Sequence, residues 1–182
     1  MSTNDQPRIR LKAKEERRLK GGHLWVYSNE VDTAVTPLQD LTPGLEVVFE
    51  EASGRPLGRG YANPHSLICG RLLTRDWKQP LNRKFLTQRL QQALALREQV
   101  YGKPYYRLVY GDSDGLSGLV VDRYGDYLVA QLNTAGMERL RELLQAALET
   151  VLAPRGILWR NDSPLREQEG LTAEDEAPLL KH

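Results

Sequence analysis

The chain has a single cysteine, Cys69, and only three histidines, His23, His65 and His182. No intramolecular disulfide can form, and no set of cysteines and histidines falls at zinc-ligand spacing. No apolar run approaches the roughly 18 residues of a membrane helix. The opening residues, Met1 to Pro7, lack the apolar stretch of a secretory signal. Neither a Gly-x-Ser-x-Gly elbow nor a Walker loop is present. These absences lead to the expectation of a reduced, cytoplasmic protein held together by packing alone. Its 182 residues suffice for one medium domain or two small ones. Apolar residues at 40% and charged residues at 27% exclude a wholly disordered chain.

Net charge is only +1, but the charges are unevenly placed. Seven basic residues lie between Arg8 and Lys20 against Glu15 and Glu16, and eight between Arg55 and Arg89 against Asp76 alone. From Arg160 onward six acids face three bases. A basic N-terminal half with an acidic tail is the pattern of a nucleic-acid-binding module; a solvated charged surface would also give it.

The first part of the chain reads as β. Arg8 to Lys12 alternates with period two, Leu24 to Tyr27 and Leu45 to Phe49 are strand-like, and Lys14 to Lys20 has room for one or two helical turns before Gly21 and Gly22. Leu57 to Ala62 carries Gly58 and Gly60 inside a strand pattern, which predicts bulges or close backbone approach, and Leu67 to Leu73 completes the set. Short strands separated by Gly/Pro turns predict a small barrel. A helix over 82–101 follows, with Leu86, Leu90, Ala93, Leu94, Arg97 and Val100 on one stripe. Strands are expected over 106–110, 119–123 and 127–132, the last two a hairpin, then one helix presenting Met137, Leu140, Leu144, Ala147, Leu148 and Val151 with Thr134 as N-cap, then a strand over 157–160. That order implies a small α+β sandwich.

Few residues suggest chemistry by themselves. Gly111, Gly115 and Gly118 superficially resemble a nucleotide loop, but the loop opens into a strand instead of a helix. Asp112, Asp114, Asp122 and Asp126 could hold a divalent cation, and a metal-dependent hydrolase would use them so; turn aspartates bonding their own backbone explain them better. Cys69 sits in a β run with no base beside it and reads as a small buried hydrophobe. No catalytic residue, cofactor-binding residue or metal site is assigned. What remains is a basic segment interleaved with aromatics. Lys14, Arg17, Arg18, Lys20, His23, Arg55, Arg59, Arg71 and Arg75 are the candidate RNA-binding residues, since cations contact phosphates and aromatics such as Tyr27 and Tyr61 can stack bases. Trp25 reads as a core residue, because large aromatics are mostly buried.

The stretch Arg17-Arg18-Leu19-Lys20-Gly21-Gly22-His23-Leu24-Trp25-Val26-Tyr27-Ser28 resembles the opening of the PUA-domain-containing SAM-dependent rRNA large-subunit (cytosine-C5) methyltransferases of the RlmI type. The resemblance continues through Leu57 to Ala62 and Arg89-Leu90, and is sharpest from Tyr106 to Asp126, with Asp112 and Ser117 standing where the family would carry Glu and Pro. It covers roughly residues 8 to 171. It implies a chain that is mainly β plus α+β: a PUA-like small β-barrel over 1–78, a connecting helix over 79–104 and a central α+β (β-β-β-α-β) sandwich over 105–171; the acidic, poorly patterned stretch over 172–182 is expected to be a disordered tail. The Rossmann methyltransferase domain is expected to be absent, with no counterpart here of the family's SAM loop or catalytic cysteine. The implied function is the RNA-binding N-terminal and central portion of a 23S rRNA cytosine-5 methyltransferase, not catalytic on its own. Its partner would be ribosomal RNA, with no membrane and no metal, and SAM would be the cofactor of a full-length parent only. The competing reading is a stand-alone PUA-type RNA-binding protein without methyltransferase activity.

Overall fold

The structure, a computed structural model, describes residues 6–172, 174–175 and 179–180. Two compact units divide the chain, Met1–Leu81 and Asn82–His182.

The first unit is a curled five-stranded sheet. In chain order it contains β1 (Arg8–Arg10), helix α1 (Glu16–Lys20), β2 (Trp25–Val26), β3 (Leu45–Glu50), β4 (Pro56–Ala62) and β5 (Gly70–Thr74), arranged β1-β3-β4-β5-β2. Only β1 and β3 run parallel; the other pairs are antiparallel. The far side of β1 bonds to the segment after β2 through the Leu11–Val31 bridge, which links the two ends of the sheet order. Ile9, Leu11, Leu19, Val26, Val47, Phe49 and Leu72 fill the interior. The bulge predicted near Gly60 is present, with a register shift between Arg59 and Gly60. A Cβ on Gly60 would lie 1.9 Å from the Arg71 carbonyl oxygen, so the two strands approach this closely only with glycine there.

The second unit begins with α2 (Arg83–Val100), capped by the Asn82 side chain, which accepts from the Phe85 N–H at 3.0 Å. Read from sequence as a connector, α2 packs within this unit against α4 and β6. Phe85, Leu86, Leu90 and Ala93 are its buried face; Val100, predicted on that stripe, is exposed. Strands β6 (Tyr105–Tyr110), β7 (Leu119–Tyr124) and β8 (Tyr127–Leu132) form an antiparallel meander. The single helix predicted next is two, α3 (Ala135–Arg139) and α4 (Arg141–Leu152), because Leu140 leaves helical geometry. They carry the crossover to β9 (Gly156–Asn161), which joins β8 in parallel.

A short helix the sequence reading missed, α5 (Pro164–Gln168), follows β9. Its signal was legible, since Ser163 caps the helix and Pro164 occupies its first turn. It brings Arg166 into the interior, where the guanidinium donates to the Leu132 and Thr172 carbonyls and pairs with Glu138 at 2.8 Å. The disordered tail expected over 172–182 lies partly outside the described residues. Within it, β10 (Glu174–Asp175) and β11 (Leu179–Leu180) each pair with β9.

Candidate nucleic-acid interface

The geometry around α1 follows from a few local choices. Lys14 adopts a left-handed backbone (φ 76°), which turns the chain into α1 and leaves its side chain exposed. Leu19 buries one side of the short helix and Arg17 lies on the exposed side. The N–H groups of Gly21 and Gly22 then donate to the Arg17 and Leu19 carbonyls and end the helix. The chain passes through exposed His23 into β2, whose Trp25 pairs across the sheet with Arg71.

Aromatics and guanidiniums meet along this edge. The Arg71 guanidinium lies over the Trp25 ring at 5.6 Å, and that of Arg18 over Tyr27 at 4.9 Å. Arg75 reaches the His23 carbonyl at 3.5 Å. Trp25 is half-buried, not a core residue: the short β2 lies at the end of the sheet order, and the ring packs under Arg71. The fold thus gathers Arg17, Arg18, Lys20, His23, Arg71 and Arg75 near α1 and the ends of β2 and β5, with Lys14 at the entrance to the helix.

Several cations, Arg18 and Lys20 of this group among them, are paired within the fold. Glu50 is buried and receives both Arg8 and Arg10, the latter at 2.9 Å. Glu30 is buried against Arg18 at 2.6 Å and also accepts from the Tyr27 N–H. That pairing raises the Arg18 pKa, chiefly through the hydrogen bond to Glu30. Lys20 pairs with Glu51 at 2.8 Å and draws that carboxyl below its ordinary value. Arg59 departs most from the sequence reading: its side chain is 3% exposed and pairs with Glu46 at 3.1 Å, so it is not on the surface. Tyr61 is buried as well, while Arg55 is exposed at the β3–β4 turn beside Glu51.

The remaining candidates resolve as structural parts. Cys69 is buried in the core, and desolvation pushes its thiol up to about 12. Asp114 takes both guanidinium nitrogens of Arg97 and the Tyr110 N–H. Asp122 pairs bidentately with Arg107, whose pKa rises through that hydrogen bond. No group of three or more His, Cys, Asp or Glu side chains among the described residues is placed to hold a metal ion. Among them, too, no helix is long and apolar enough to cross a membrane.

Residues 9–75, which make up this curled sheet and its edge of cations and aromatics, match the PUA-like domain family. Beyond that module, ribosomal RNA large subunit methyltransferase I of Salmonella arizonae is 37% identical over 169 residues, covering 91% of this chain and 41% of that protein. The protein of the same name from Shewanella denitrificans is 37% identical over 167 residues, covering 90% of the chain and 42% of its own length. The chain therefore spans about two fifths of the length of the curated relatives it matches. By sequence the chain is similar to part of these ribosomal RNA large subunit methyltransferases. A solved structure described as a SAM-dependent methyltransferase from Streptococcus mutans shares the fold, with a TM-score of 0.72 at 21% identity over 85% of this chain and 40% of that one.

The Gly-rich loop does not fit the methyl donor those names imply. Residues 111–118 run from β6 through a single 3₁₀ turn into β7, so the loop does not open into a helix as a donor-binding loop would. A Cβ on Gly118, whose φ is 84°, would meet the Thr134 hydroxyl at 2.2 Å, so that end of the loop is packed against the cap of α3.

Proposed function

We propose that this chain is the RNA-gripping portion of a SAM-dependent 23S rRNA cytosine-5 methyltransferase and does not transfer a methyl group by itself. The observation that carries the reading is the cationic edge around α1, where Lys14, Arg17 and His23 are exposed on the segment that leads into Trp25 and Tyr27, inside a unit that matches the PUA-like domain. The names of the relatives supply the ribosomal substrate and the methyl-transfer class. Burial of Cys69 supports the non-catalytic part, because a thiol pushed up to about 12 supplies no thiolate to attack a cytosine ring.

The test is a titration of structured 23S rRNA fragments over a range of salt. Phosphate contacts release counterions, so affinity should fall steeply as salt rises. The structure also selects the variant. Reversing Arg18 would place a second carboxylate beside buried Glu30 and unsettle the fold. Lys14→Glu with Arg17→Glu changes exposed charge only. This pair should weaken binding and reduce the salt slope by about one for each phosphate the protein no longer neutralises. A parent protein that ignores rRNA at low ionic strength, or methylates it unaided, overturns the proposal.

A further inference from the structure

Tyr106 of β6 and Arg123 of β7 are paired directly across the sheet, so they project from one face, and Tyr106 is buried on the side where α2 lies against β6. Helix α2 ends at Val100, and the chain turns through Gly102 and Lys103 before it enters β6. Beyond the end of the helix, at this corner of the sheet, a cavity of about 280 Å³ opens. Ligand pockets run from roughly 300 to 1,000 Å³, so a space of this size suits one small molecule or one nucleotide and not a folded partner.

Its lining offers two kinds of surface. The first is a set of donors. Arg123 is held by two hydrogen bonds, from Nε to the Gly125 carbonyl at 3.0 Å and from Nη1 to the Tyr106 hydroxyl at 3.0 Å, which leave Nη2 for another acceptor. The Tyr106 hydroxyl accepts in that bond and keeps its own proton to give. Lys103 adds an exposed ammonium. A fixed guanidinium, a hydroxyl and an ammonium on one cavity match an oxyanion with several acceptor oxygens, such as phosphate.

The second surface is flat. Tyr101 stacks on Tyr106 with ring centres 5.3 Å apart, yet Tyr101 is 50% exposed, so its outer face is open to another ring. Glu98, exposed near the end of α2, is an acceptor for an exocyclic amino group and repels an anion placed beside it. A ligand with its charge at one end and an amino-bearing ring at the other satisfies both surfaces. We infer that the cavity binds one nucleoside monophosphate unit, with its phosphate on Arg123, Lys103 and the Tyr106 hydroxyl and its base on Tyr101. Two sources share that chemistry, an unpaired residue of an RNA chain and a free nucleotide. The RNA source rests on the RNA-binding reading of the chain; the free nucleotide does not.

The experiment titrates the full chain with adenosine monophosphate, adenosine, inorganic phosphate and a short single-stranded oligoadenylate. Three variants accompany it. Lys103→Ala should lower affinity for the nucleotide about tenfold and leave adenosine as in the parent. Tyr101→Leu should lower affinity for the nucleotide and adenosine alike, by about tenfold. Gly102→Leu fills the cavity from its wall, and a Cβ at Gly102 meets nothing within 4 Å, so this variant should fold and bind neither ligand. If Tyr101→Leu fails to fold, Gly102→Leu decides. Oligoadenylate affinity that falls in these variants assigns the site to an unpaired RNA residue. Nucleotide affinity that falls while oligoadenylate affinity holds assigns it to a free nucleotide. A folded Gly102→Leu with parental affinity for both overturns the inference and leaves the RNA-binding reading standing. Inorganic phosphate binding as tightly as the nucleotide also overturns it, because the base then contributes nothing. A parent that binds the nucleotide at this site but no RNA defeats the RNA-binding reading alone.

Discussion

Single residues show how far a count of charges can mislead. The basic run near the N-terminus looks in sequence like uniform capacity for phosphate, yet Arg8 and Arg10 both serve buried Glu50, and Arg18 serves buried Glu30. Arg59 is enclosed and pairs with half-buried Glu46. None of these pairings follows from spacing along the chain, because the partners are brought together by strand register and turns. Cys69, in contrast, could be read at once, since a thiol in an apolar strand run with no base beside it has only a packing role. Its burial has a consequence at high pH. The unfolded chain ionises this thiol near its ordinary value of 9.0, whereas the folded protein holds the proton up to about 12. The stability this supplies is fully present below pH 9 and is lost progressively as pH rises toward 12. Urea unfolding of the parent and of Cys69→Ala across that window should show the parent losing more stability with rising pH. Parallel curves would contradict it, and a thiol reagent should label Cys69 only after unfolding.

At the scale of elements, the sequence reading located most strands and the long helix, because period-two and helical patterns survive in a chain whose sheets each have a buried side. It missed the break at Leu140 and the crossing of α5, where tertiary contacts decide. Arg166 is the clearest case: a charged residue in an acidic stretch reads as surface, but carbonyls from two other segments and Glu138 give it a buried place. The loop between β6 and β7 was ambiguous in sequence because glycines and aspartates serve both ligand cradles and tight turns. Asp114 ties it down through Arg97 and the Tyr110 N–H. Asp114 and Arg97 are 5% and 13% exposed in their side chains, so removing one charge leaves the other poorly solvated. Asp114→Asn should lower stability by about 3 kcal/mol, measured by thermal or urea unfolding. A loss within experimental error would show that the pair is not needed to hold the loop.

At the scale of the whole molecule, both units were legible as fold classes, a curled sheet and an α+β layer, while the division at Leu81 places α2 with the second of them. The candidate RNA-binding residues were legible only as a pool, and burial was needed to sort it. The Gly-rich loop runs strand to strand and is packed at Gly118, so calorimetry of residues 1–182 with S-adenosylmethionine should give no binding heat. Tight binding would mean that the chain holds a donor site the loop geometry does not suggest.

The bridge from Leu11 to Val31 has a consequence for partner choice. It occupies the outer rim of β1, and the opposite terminal strand, β2, is only two residues long. Among the described residues the first unit therefore offers no lengthy vacant rim along which a visiting polypeptide could lie as an added strand. A partner of this unit would have to be held in some way other than strand addition.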